Sequence, residues 1–308
     1  MATLDIYQAV TDRIIELLDQ GTVPWKQPIR SQGGSGRLPT NLLSGREYRG
    51  INVFLLAVTA WAEGYESPYW LTFKQTKEKG GHVRKGEKGS LVIFWKQHAT
   101  EDKKTGEPIK IPVLRRYTVF NTDQCDGIEL PSDEPGSGGG EDAEPPGGFT
   151  PIRECAEIVA GYAGGPKIEH RGGRALYAPQ NDTVRIAEPD RFETGEAYYA
   201  TLFHELVHST GHSTRLDRGL DRELSPFGSP DYSKEELVAE MGSAFLAAAA
   251  GIGTQTIEQS ASYIDGWRKK LGQDKKLIIN AAAAGQRAAD WILMARRAGI
   301  HERPPTLG

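Results

Sequence analysis

The 308-residue chain has little of what builds covalent or membrane-bound scaffolds. Its two cysteines, Cys125 and Cys155, are too few for a disulfide framework, which fits a reducing compartment. No apolar run approaches the roughly 18 residues that a membrane span needs. The opening MATLDIYQAVTDRIIELL is amphipathic and acidic, with no basic region ahead of an apolar core, and does not read as a signal peptide. These absences point to a soluble cytoplasmic protein with no membrane partner. No charge sign is in large excess either, with 37 Lys+Arg against 41 Asp+Glu. The balance is uneven along the chain. Residues 1–130 hold 18 Lys+Arg and 15 Asp+Glu, a net of +3; the remaining 19 and 26 give −7, which together return the chain's −4. The split hints at an anionic partner for the first half.

Residues 131–149, PSDEPGSGGGEDAEPPGGF, offer almost nothing to bury and read as a flexible linker between two domains, 1–130 and 150–308. In the first, apolar positions Leu4, Tyr7, Ile14, Ile15, Leu17 and Leu18 share a helical face. A glycine-rich loop, SQGGSG, and a second helix over 51–64 follow. Short runs of β-branched and aromatic residues, YWLTF, SLVIFWK and RRYTVFN, then predict strands separated by turns. The second domain reads as helix 151–162, short strands around KIEH and NDTVRIA, and helices near 194–210, 233–250, 256–271 and 275–298. The expected class is α+β: an α+β first domain joined to a mostly α second domain with a small sheet.

The second domain contains HELVHSTGH, residues 204–212. Tyr199, Leu202, Phe203, Leu206, Val207 and Thr210 recur at helical spacing as one buried stripe, and Gly211 is a natural stop. His204 and His208, four apart, lie one above the other. Two imidazoles so placed can chelate Zn²⁺ at about 2.0–2.1 Å, with Glu205 beside the metal as the base. HExxH also arises by chance in unrelated helices, so a third ligand matters. His212 is nearby but past Gly211, and is expected on the substrate side or behind the ligands. Glu236 and Glu240, in YSKEELVAEMGSAF, are better placed. Glu236-Leu-Val-Ala-Glu240 resembles the glutamate-zincin pattern Glu-x-x-Ala/Ser-Asp with Glu in place of Asp; there the first acid binds the metal and the second, one turn on, holds a ligand histidine. Ser233 to Glu236 also spells a capping box, a competing role for Glu236. The strand at 181–186 is a candidate edge for an extended peptide, and Tyr232 and Tyr263 are candidates for stabilising an oxyanion.

Between Lys74 and Lys96 lie seven Lys/Arg and two Glu, flanked by Trp70, Phe73, Phe94 and Trp95, with Trp25 and Trp61 elsewhere. Cations that follow phosphates and aromatic faces that stack on bases are how single-stranded nucleic acid is held. Core strands and a solvated hairpin tip would look the same. The contact residues taken from this chemistry are Trp25, Arg49, Trp70, Lys74, Arg84, Lys85 and Lys88.

The words DIYQAVTDRIIELLDQGTVPWKQP, REYRGINVFLL, YWLTFKQTKEKGGHVRKGEKG and RYTVFNTDQ, then EAYYATLFHELVHSTGHSTRL, YSKEELVAEMGSAFL and SYIDGWRKKLGQDKK, carry a resemblance over nearly the whole chain outside the linker. The chain resembles the ArdC antirestriction proteins of conjugative plasmids, whose N-terminal domain is shared with TraC-type plasmid primases. The resemblance implies a first domain that binds single-stranded DNA, with double-stranded DNA as a further candidate partner, and a zincin-like metallopeptidase second domain. It implies that His204, His208 and Glu236 hold a metal, with Glu205 as base; the expected ion is divalent, Zn²⁺ before Mn²⁺, although a His, His, Glu set does not separate the two. The role implied is protection of incoming plasmid DNA from host restriction enzymes. The alternatives are a DNA-binding metalloprotease that cuts a host protein, or a pure DNA-binding protein whose metal is structural or vestigial. A primase accessory is disfavoured because the chain has no acidic polymerase-like cluster.

Overall fold

The structure, a computed structural model, describes residues 5–27, 29, 37–101, 108–131, 151–222, 229–253 and 261–298. The SQGGSG loop lies outside them, and so does the expected linker from residue 132 onward. The chain forms two compact units of mixed helix and sheet. The first takes Met1–Pro24, Ile29–Gly138 and Ile264–Lys276; the second takes Trp25–Pro28, Gly139–Tyr263 and Leu277–Gly308. No helix among the described residues is long and apolar enough to cross a membrane.

In the first unit, α1 (Ile6–Asp19) starts at Asp5, whose carboxylate accepts the Tyr7 and Gln8 amides at 3.0 and 3.3 Å. Ile14, Leu17 and Leu18 of the predicted face turn inward together with Val10; Tyr7 and Ile15 are half-buried, and Leu4 lies outside the described residues. α2 (Ile51–Glu63) buries all of its first eight residues and stops at Gly64, whose φ of 71° suits glycine at a helix end. β1 (Thr40–Asn41), β2 (Tyr69–Thr72), β4 (Ser90–Glu101) and β5 (Pro108–Asn121) form one sheet in the order β1-β2-β5-β4. Between β2 and β4 lie α3 (Phe73–Glu78), opened by a capping box from Thr72 to Gln75, and β3 (His82–Val83), which pairs with β6 (Cys125–Asp126). β4 is an edge strand, and an unpaired edge invites another strand. Here the buried Asn52 carboxamide donates to the Ile93 carbonyl at 2.7 Å and accepts the Ile93 amide at 2.8 Å. One side chain from α2 therefore covers that edge at Ile93.

In the second unit, α4 (Arg153–Ala160) precedes a sheet of β7 (Lys167–His170), β8 (Leu176–Ala178) and β9 (Thr183–Ile186). The order is β7-β9-β8. The 181–186 stretch, expected at an edge, is thus the central strand: its neighbours hydrogen-bond to both sides, and it has no free edge to offer a peptide. α5 (Gly195–Ser209), α6 (Pro230–Ala250) and α8 (Leu277–Ala298) pack together, while α7 (Ala261–Gln273), which precedes α8, belongs to the first unit from Ile264 onward. Glycines set the spacing of the packed helices. A Cβ on Gly242 would sit 2.7 Å from Val207 of α5, and one on Gly285 of α8 would sit 2.8 Å from the Gly242 backbone nitrogen. α5 and α8 can both approach α6 closely only because nothing projects there.

Candidate functional site

α5 starts at Thr194, whose hydroxyl accepts the Ala197 amide at 3.1 Å. Its predicted stripe is buried: Leu202, Phe203, Leu206 and Val207 are each at most 1% exposed. This fixes the rotation of the helix and brings His204 and His208 toward α6. The end of α5 is tied down by two arginines. Arg215 Nε donates to the Ser209 carbonyl at 2.7 Å, and Arg218 Nη2 donates to the Val207 carbonyl at 2.9 Å. Both add a donor to carbonyls of the last turn, and both place cations at its negative end. A side chain at Gly211 would meet Leu220 at 2.6 Å and Arg218 Nη2 at 3.1 Å, so glycine there also lets Arg218 in.

α6 begins one turn earlier than expected. Ser229 is the cap, accepting the Tyr232 amide at 3.2 Å, and Pro230 opens the helix. Ser233 is buried within the first turns, and its hydroxyl caps nothing. The capping-box role for Glu236 is therefore set aside, and its carboxylate faces the histidines. Oε2 is 3.5 Å from His204 Nε2, Oε1 is 3.6 Å from His208 Nε2, and the two Nε2 atoms are 3.1 Å apart. The ligating atoms of His204, His208 and Glu236 all lie within 4.8 Å of one another. Burial alone would raise Glu236, but the facing imidazoles outweigh it and hold the carboxyl at about 2, so it is ionised at neutral pH. Glu205 is buried at 8% exposure on the same helix as the two histidines.

The carboxylate behind the ligands is not the expected one. His208 Nδ1 is 3.2 Å from Glu235 Oε1. A carboxylate only accepts, so Nδ1 carries a hydrogen; burial opposes charge on His208, but Glu235, Glu205 and Glu236 outweigh it and raise its pKa, and Nε2, once deprotonated, is the atom that faces the cluster. Glu235 is held in turn by a forked pair from Arg218 at 2.7 and 2.9 Å, and Arg218 also donates to Thr210 at 2.8 Å. Burial opposes charge on Glu235, yet His208 and Arg218 keep its carboxyl below the usual range. Glu240 lies on another side of α6. It forms an ion pair with Lys26 at 2.5 Å and accepts the Tyr263 hydroxyl at 2.9 Å. The apolar context of Glu240 did demand a partner, but the partner is a lysine rather than a ligand histidine. This commits Tyr263 as well. Tyr232 sits beside Glu236, and burial and that carboxylate push its hydroxyl up to about 12, so it remains a neutral donor. His212 is turned away from the cluster. Its Nδ1 meets Thr214 Oγ1 at 2.9 Å, and its Nε2 is 3.9 Å from Asp221.

The expected nucleic-acid contacts divide in the same way. Trp25 and Trp70 are each 1% exposed, so neither presents a face to a base. Trp25 Nε1 donates to Tyr263 at 3.3 Å, and Trp70 packs edge-on against Tyr65. Both are core residues. Arg84 is engaged by Glu87, Asp126 and the Asp123 carbonyl. Arg49, Lys74, Lys85 and Lys88 are exposed. The aromatics that do reach solvent include Phe94, Trp95 and Tyr117, none of them among the expected contact residues.

Comparison with known proteins finds a separate family match in each part of the sequence. Residues 4–120 match the N-terminal domain of anti-restriction factor ArdC, and residues 156–284 match a zincin-like metallopeptidase family. The uncharacterized protein y4eC of Sinorhizobium fredii (strain NBRC 101917 / NGR234) is 36% identical over 300 residues, covering 94% of this chain and 91% of its own. The DNA primase TraC of Escherichia coli is 36% identical over 315 residues, covering 96% of this chain but only 28% of the primase. The metal-free crystal structure of antirestriction protein ArdC from plasmid R388 superposes with a TM-score of 0.76 at 39% identity, over 97% of this chain and all of that one. The Mn(II)-bound structure of the same protein gives 0.73, also at 39% identity, over 95% and 98%. Fold and site together define a two-domain protein with a zincin-like second domain. The chain belongs to the ArdC family of antirestriction proteins.

Proposed function

We propose that this chain protects incoming single-stranded plasmid DNA from host restriction enzymes, binding that DNA through its first unit and a divalent metal through its second. The observation that carries the metal half is the convergence of His204, His208 and Glu236, with His208 locked by Glu235 in the tautomer that a metal needs. Two imidazoles and a carboxylate suit Zn²⁺ or Mn²⁺, and the Mn(II)-bound R388 protein keeps manganese in the reading. A metal bound there supplies Lewis-acid chemistry. The chain's own contribution is to hold and move protons. Glu205 takes and returns one, Tyr232 offers a neutral O–H, and Glu235 with Arg218 fixes the imidazole.

Glu205→Gln is the test, because it removes the base and spares all three ligands. Recipient cells expressing either protein are scored for survival of conjugated plasmid DNA under restriction, and metal content and folding are checked alongside. Loss of protection with metal and fold retained makes the second unit catalytic. Unchanged protection makes the metal structural and DNA binding sufficient. Absence of protection by the unmodified protein would overturn the antirestriction reading.

A further inference from the structure

Pairing of β4 with β5 sets Phe94 opposite Arg115 and Val92 opposite Tyr117. Directly opposed residues share a face, so Phe94, Tyr117 and Arg115 project together. The Phe94 and Tyr117 rings are 5.7 Å apart, edge to face, and the Tyr48 ring lies 6.0 Å from Phe94, tilted against it. Tyr48 is buried, whereas Phe94 and Tyr117 are 43% and 41% exposed. They line a groove of about 720 Å³ with Arg46, Arg49 and Lys96 at its walls. Its size falls within the range of about 300–1,000 Å³ typical of ligand sites.

We propose that this groove is the base-stacking subsite for single-stranded DNA: Phe94 and Tyr117 take bases, and Arg46, Arg49, Lys96 and Arg115 follow the phosphates. The proposal rests on the reading that the first unit binds single-stranded DNA, and it names the surface. Charge complementarity selects the occupant. Arg46, Arg49 and Lys96 line the groove, where Trp95 is also exposed, and Arg115 stands opposite Phe94, against one carboxylate, Glu47, in the groove wall. A peptide strand added to β4 at Ile93 would need its N–H and C=O, and Asn52 already holds both. A duplex hides its base faces inside the stack, whereas an unpaired strand presents them to aromatic rings.

The experiment uses the full chain and a fluorescein-labelled oligothymidylate, followed by anisotropy at several salt concentrations. Phe94→Leu and Tyr117→Leu keep apolar bulk but remove the π-face; Trp61→Leu, on an exposed aromatic outside the groove, is the control. Each groove variant should weaken binding about five- to hundred-fold, the worth of one stacked base, with the salt slope unchanged. Lys96→Gln should instead reduce the slope of log K against log salt by about 0.7, one phosphate contact on a single strand. Thermal unfolding confirms that each variant is folded. If the unmodified chain binds and both leucine variants bind equally well, the groove is wrong and the DNA reading stands. Equal competition by duplex DNA of the same length overturns the single-stranded assignment. Failure of the unmodified chain to bind at low salt brings down the reading and the groove together.

Discussion

At the scale of single residues, the informative substitution of roles is Glu235 for Glu240. Both are acids on α6, and spacing alone favours Glu240, one turn beyond Glu236. A helix turns 100° per residue, so the acid adjacent to Glu236 faces His208 once α6 crosses α5 as it does. Glu235→Ala should lower affinity for Zn²⁺ or Mn²⁺ about 10- to 100-fold, the usual cost of losing the partner behind a ligand histidine. Glu240→Gln should leave it unchanged. Metal titration by calorimetry on both variants decides, and equal losses would sink the distinction. Asp182 allows a prediction about pH. Burial would raise its carboxyl, but Arg215 and Tyr177 hydrogen-bond it and hold it low. Arg215 is itself 3% exposed and also donates to the Ser209 and Gly164 carbonyls, so the pair anchors the end of α5. A lowered folded value means that the stability contributed is complete above the unfolded value near 3.9 and is lost as pH falls through the folded one. The stability gap between the parent and Asp182→Asn, measured by urea unfolding, should be steady from pH 7 to about pH 5 and close below about pH 4. A gap that widened in acid would contradict the assignment.

At the scale of elements, the structure turns on a few side chains that substitute for missing backbone partners. Asn52→Ala would strip both hydrogen bonds from the β4 edge at Ile93 and leave two buried groups unsatisfied, at about 1–3 kcal/mol each. We expect a loss of about 2–4 kcal/mol in denaturant unfolding, with self-association as the edge opens. A loss under 1 kcal/mol would mean that water replaces the carboxamide. Little of this was legible beforehand. Periodicity located α1, α2, α5, α6 and α8 well, because each buries a broad apolar face that the spacing records. It located the HExxH cluster for the same reason. It missed β8, three residues long, and could not say that β9 is central, because strand order is a long-range property. It also mistook Trp25 and Trp70 for contacts while passing over Tyr117. Aromatics look alike in a strand, and only the pairing register says which face meets the core.

At the scale of the whole molecule, the units do not coincide with two uninterrupted halves of the sequence. Ile264–Lys276 belongs with the first unit: Lys275 pairs with Asp5, its carbonyl accepts the Thr11 hydroxyl at 2.9 Å, and Arg268 pairs with Asp19 at 2.6 Å. Trp25–Pro28 belongs with the second, where Trp25 is buried beside Tyr263. A fragment ending at residue 130 would therefore lose partners along α1 and would carry a tryptophan with no core to enter. Truncating a buried tryptophan costs about 3–5 kcal/mol, so stranding one is a loss of similar scale for a small unit. Residues 1–130 alone should unfold at lower urea concentration than the full chain and bind an apolar dye that the full chain ignores. A sharp transition at the parent midpoint, without dye binding, would show that the crossing segments are dispensable. The full chain is accordingly the proper object for DNA titrations, because a fragment that fails to bind reports on its missing segments as much as on its groove.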